Sequence, residues 1–71
     1  MRNWAGPCLL SRRELEIIKM ASEGLTYVRI AKQLYLNERT VHNHAYNCRK
    51  KLDAQTIAHA VAICLREGWI E

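Results

Sequence analysis

The chain has 71 residues, a formal charge of +4, 49% apolar and 25% charged side chains, which fits one small globular domain and excludes a disordered chain. A chain this short buries about 60% of the surface its unfolded form exposes, enough for a small helical bundle and too little for a two-domain substrate cleft. No apolar run approaches the roughly 20 residues of a bilayer span, and Met1 to Gly6 lacks the apolar stretch of a signal peptide, so a soluble, cytoplasmic protein is expected.

The charge is unevenly placed. Between Gly24 and Leu52 lie Arg29, Lys32, Arg39, Arg49, Lys50 and Lys51 against one acid, Glu38, so the rest of the chain is close to neutral. A basic zone confined to one segment fits a surface that faces a polyanion, although a solvated face has the same composition. Cys8, Cys48 and Cys64 are odd in number and lack paired spacing, which argues for free thiols over a disulfide scaffold.

In chain order, residues 1–9 contain Gly6-Pro7 and no periodicity, and read as an irregular arm ahead of a domain over residues 10–71. Ser11-Arg12-Arg13-Glu14 has the capping-box pattern that starts a helix, with Leu10 and Leu15 placed as a hydrophobic staple. Ile17, Ile18 and Ala21 give this first helix its buried side, and Gly24 stops it. Thr26 caps a short second helix with a stripe of Ile30, Ala31 and Leu34, ending near Tyr35. Asn37 caps a third helix over about Glu38 to Leu52.

That third helix separates two kinds of residue. At about 100° per residue, Val41, Ala45, Cys48 and Leu52 fall within a narrow seam, and Arg39, Asn43, Tyr46 and Lys50 cluster opposite it. Thr40, His44 and Lys51 line one flank, His42 and Arg49 the other. A fourth helix is expected from about Gln55 to Glu67, with Gly68 as its stop and Ile57, Ala60, Val61 and Cys64 as its core stripe. His59 is its only polar residue between Ile57 and Leu65, and so apolar a helix needs burial on two sides, the second supplied by another copy of the chain or by Trp4 and the N-terminal arm.

A short helix, a tight turn and a longer cationic helix make a helix-turn-helix, whose second helix suits the roughly 12 Å wide major groove of duplex DNA. Leu10-Ser11-x-Arg13-Glu14, Gly24-x-Thr26-x-x-x-Ile30-Ala31-x-x-Leu34, Thr40-Val41-x-x-His44, Lys51-Leu52, Ala60-Val61 and Gly68-Trp69-Ile70 follow one another in order. This succession resembles the LuxR/GerE-type DNA-binding domain over residues 10–70.

The resemblance implies an all-α, four-helix domain that binds double-stranded DNA as a homodimer and regulates transcription, with no cofactor and with RNA polymerase as a candidate further partner. Carried over by position, Arg39, His42, Asn43 and Tyr46 are the base-facing candidates. Thr26, Thr40, His44, Lys50 and Lys51 are the phosphate-facing ones, with a packed position between helices an equal reading of His44. The dimer contact falls on the C-terminal helix, at His59, Ala62, Ile63 and Arg66. Three positions depart from the family pattern: Arg29 stands where Glu is usual, His42 where Lys is frequent, and Ile57 where a basic residue is common. Family members often carry a sensor or receiver domain, so the chain is expected to be either a free-standing regulator or a piece of a longer one.

Other readings are weaker. A module of the same fold that pairs with another regulator instead of DNA would also explain the three departures and the apolar fourth helix. RNA binding is disfavoured because few aromatic side chains are on hand as stacking surfaces. His44 and Cys48 have metal-ligand spacing, but two ligands are too few. The acids show no convergent cluster from which to build a catalytic site, so no enzyme is expected. Trp4 and Trp69 read as core or interface anchors.

Overall fold

The structure, a computed structural model, describes residues 8–71. The expected arm and Trp4 lie for the most part outside the described residues. Four helices follow one another: α1 (Arg12–Ser22), α2 (Tyr27–Leu34), α3 (Glu38–Leu52) and α4 (Ile57–Arg66), with no strand among the described residues.

Each helix begins on a side-chain cap that satisfies an otherwise orphaned amide. At α1 the Glu14 amide donates to Ser11 Oγ at 3.2 Å and the Ser11 amide donates to Glu14 Oε1 at 2.8 Å, which completes the capping box. Thr26 Oγ1 accepts from the Arg29 amide, Asn37 Oδ1 from the Thr40 amide, and Thr56 Oγ1 from the His59 amide. The Thr56 cap explains why α4 begins at Ile57 rather than at Gln55.

Helix endings were only partly anticipated. Gly24 and Gly68 take positive φ, as expected of residues that follow a helix. The stops after α2 and α3 are instead Tyr35 (φ 57°) and Asp53 (φ 55°), both in the left-handed region that side chains other than glycine seldom adopt. Tyr35 is 94% exposed, so no packing of its ring holds it there.

Two apolar clusters meet at α3. One joins Ile17 of α1, Ile30 and Ala31 of α2 and Val41 of α3. The other joins Leu10, Ile18, Cys48, Leu52, Ala60, Ile63, Cys64 and Ile70, with Leu15, Val61 and Trp69 packed against it. All four seam residues of α3 (Val41, Ala45, Cys48 and Leu52) are at most 3% exposed. Cys48 and Cys64 are free, and burial pushes their thiols up to about 12 and about 11, so both act as small apolar residues at neutral pH.

One interface expectation is corrected here. Ile63 is 3% exposed and belongs to the second cluster, so it is unavailable as a dimer contact. That assignment had come from the family resemblance, which does not show how α4 packs on the rest of the chain. The chain after Gly68 folds back, placing Ile70 in that same cluster.

Candidate nucleic-acid interface

The surface of α3 opposite its seam carries the functional candidates. Arg39, His42, Asn43, Tyr46 and Lys50 are exposed, whereas Thr40 and His44 are half-buried. The seam fixes this orientation. Turning α3 to hide Asn43 and Tyr46 would expose Val41 and Cys48, which the two clusters oppose.

Several of these side chains are already held. His42 Nε2 lies 3.2 Å from Glu38 Oε2, and its ring meets Tyr27 edge-on with centroids 4.5 Å apart. This fixes the imidazole at the α2–α3 junction. Thr40 Oγ1 donates to Asn37 Oδ1 at 3.0 Å, and Thr26 Oγ1 serves as the α2 cap. Tyr46 is half exposed and has two cations over its ring, Arg49 at 5.8 Å and Lys50 at 5.5 Å from the centroid.

Lys51 has a partner that the sequence did not reveal. Its Nζ donates to Glu14 Oε1 at 2.8 Å, linking α3 to the capping box of α1 across 37 positions. Glu14 is 4% exposed. Burial pushes its carboxyl up, but hydrogen bonds from Lys51 and the Ser11 amide, with the Lys51 charge, outweigh burial and hold the pKa below its usual value. Lys51 is thus first a tie between helices.

Sequence reasoning also missed Tyr27 and Arg49. Together with His42, Asn43, Ala45 and Tyr46 they line a pocket of roughly 350 Å³ between the start of α2 and the middle of α3. Arg49 is half-buried, and its Nε is shut off from solvent without an acceptor. Burial pushes the Tyr27 phenol up, while the charge of Arg49 acts against that rise. The wheel had put Arg49 beside His42 on one flank. What it could not supply was the neighbour, since only the packing of α2 on α3 brings Tyr27 there.

On α4, His59, Ala62 and Arg66 are exposed and share one side through their spacing of three and four residues. Leu65 is 48% exposed beside them. No group of three or more His, Cys, Asp or Glu among the described residues could hold a metal ion, and none of their helices is long and apolar enough to cross a membrane.

A short capped helix, a three-residue turn and a longer helix with a buried seam and a donor-bearing outer side define a helix-turn-helix DNA-binding domain. The model of the bacterial regulatory proteins, luxR family, matches residues 8–64, and the chain belongs to that family. It is 36% identical over 63 residues to the spore germination protein GerE of Bacillus subtilis (strain 168), covering 89% of this chain and 85% of that protein. It is 32% identical to the transcriptional regulatory protein DegU of Brevibacillus brevis, covering 89% of this chain but 27% of the relative. The chain thus spans most of one relative and about a quarter of the other. A solved structure of the transcription factor GerE superposes with a TM-score of 0.87 at 32% identity, covering 92% of this chain and 97% of that one. The family is one of transcriptional regulators, and the expected four-helix, all-α fold is borne out.

Proposed function

We propose that α3 enters the major groove of double-stranded DNA and that the chain acts there as a transcriptional regulator without catalytic activity. The observation that carries this reading is the division of α3 into a seam at most 3% exposed and an opposite side where Arg39, His42, Asn43 and Tyr46 stand free of the core. Amide, guanidinium and phenol groups on that side match the donor and acceptor pattern of base edges. Asn43 is the leading reader, because its amide can both donate and accept, it is exposed, and among the described residues no side-chain hydrogen bond holds it. His42, tied to Glu38 and Tyr27, acts from a fixed position.

Thr26, Thr40, His44, Lys50 and Lys51 are proposed to face phosphates, which set register without reading sequence. Lys50 leads this group, since the Nζ of Lys51 is shared with Glu14. Pairing of two copies is assigned to the exposed side of α4, through His59, Ala62, Leu65 and Arg66 in place of the buried Ile63. A pair of copies favours a DNA site with two-fold character. Action in the cytoplasm, with RNA polymerase as the further partner that transcriptional regulation implies, completes the proposal.

Gel-shift titration of random-sequence duplex at several salt concentrations tests it. Affinity is expected to fall with log–log slope of about −0.9 per phosphate neutralised. Binding that ignores salt, or no binding to duplex at low salt, would instead favour a module that pairs with another regulator.

A further inference from the structure

Resting on that major-groove reading, the geometry points to a phosphate seat at the α2–α3 junction, where Arg49, steadied between Tyr27 and Tyr46, takes a backbone phosphodiester of the bound duplex. Nothing in the family's sequence pattern had singled out Arg49.

Three observations carry it. First, the pocket of roughly 350 Å³ is lined by Tyr27, His42, Asn43, Ala45, Tyr46 and Arg49; no carboxylate lines it, and the nearby Glu38 carboxylate is engaged with His42 Nε2 at 3.2 Å. Two phenols, an amide, an imidazole and a guanidinium are groups that can donate to an anion, and Arg is suited to phosphate because its planar fork can give two parallel hydrogen bonds. Second, Arg49 and Lys50 both lie within 6 Å of the Tyr46 ring centroid, at 5.8 and 5.5 Å. Two like charges near one ring repel, and an anion that approaches them relieves that repulsion. Third, Arg49 Nε is closed off from solvent with no acceptor among the described residues, so the side chain is held where they do not satisfy it.

The seat also lies where a duplex would pass. Asn43 and Tyr46, the residues proposed to face bases, form part of its wall. A phosphate held there would fix how far α3 turns in the groove, because the residue that grips it sits on the α2 flank of α3.

The test uses the full chain and random-sequence duplex. Arg49→Met should lower the steepness of the log affinity against log salt plot by about 0.9, so that the loss of affinity between about 50 and 200 mM salt shrinks by about threefold. Arg49→Lys should restore the slope, since it returns the charge, while binding more weakly than the unmodified chain for lack of the fork. A second measurement needs no substitution. The Arg49 Nε–H resonance of the unmodified protein should shift on adding duplex, and should show no saturable shift with millimolar sodium phosphate at matched ionic strength.

An unchanged slope in folded Arg49→Met, or an Nε–H signal that stays put while α3 amides respond to duplex, overturns the seat alone. Saturable binding of free phosphate with no response to duplex assigns the pocket to a small anion and overturns the backbone assignment. Failure of the unmodified chain to bind duplex at all overturns the major-groove reading and the seat with it.

Discussion

Two of the junctions that α3 makes with its neighbours end differently. Against α1, the Ser11 amide and the Lys51 ammonium both donate to Glu14, so a buried carboxylate has its partners inside the chain. Against α2, Arg49 Nε has no acceptor, and Tyr46 carries two cations at a half-exposed ring. The closed junction ties the helix to α1 through partners within the chain, whereas at the other a buried Arg49 Nε is left without an acceptor among the described residues. Polar groups of one helix can thus be sorted by whether their partners are already present.

The largest expected effect would break that contrast if it failed. Lys51→Ala leaves a buried carboxylate without its charged donor, and the cost should be about 2 kcal/mol, below the full figure for a buried pair because Lys51 is itself partly exposed. For a domain of this size that lowers Tm by about 10 °C. Arg49→Met removes no partnered Nε and should leave Tm within about 3 °C of the unmodified chain. Thermal unfolding followed by circular dichroism compares the two directly, and equal losses would erase the distinction between closed and open junctions.

A smaller effect separates reading from gripping. Asn43→Ala should cost about 1–2 kcal/mol of preference for a selected site over random duplex, with little change in Tm. Lys50→Ala should weaken selected and random sequences alike. Competition binding with the two duplexes distinguishes these outcomes.

Much of this division was legible in the sequence. The caps at Ser11, Thr26 and Asn37 and the seam of α3 are local patterns, in which spacing along the chain decides which groups meet. The base-facing side followed from the same spacing. What escaped were features made by distant residues: the Lys51–Glu14 pair, the approach of Tyr27 to Arg49, and the burial of Ile63. Glu14 illustrates the limit, since its role in the capping box was readable at three residues' distance and its bond to Lys51 was not. The left-handed stops at Tyr35 and Asp53 were missed for another reason, because neither residue type announces that conformation as glycine does.

Tyr35 supplies the next prediction. Tyr35→Gly should stabilise the domain by about 1 kcal/mol, since glycine adopts positive φ without the steric cost and the ring has almost no contacts to lose. The effect is read as a rise in Tm, and a fall would mean that the exposed ring contributes to the fold after all.

The smallest effect sharpens the closed junction. Glu14 has a folded pKa below its unfolded value of about 4.5, so its contribution is present above that value and is lost as pH falls through the folded pKa. Urea midpoints should therefore drop between neutral pH and about pH 3, and Glu14→Gln should flatten that drop at the expense of lower stability at neutral pH.

The most direct test of the account is an NMR titration of the chain with a short DNA duplex at low ionic strength. Amide signals along the outer side of α3, from Arg39 to Lys50, should move first and furthest, with those near Tyr27 following. Signals of α3 that remain stationary while the duplex is in excess would contradict the claim that this helix is the one that meets DNA.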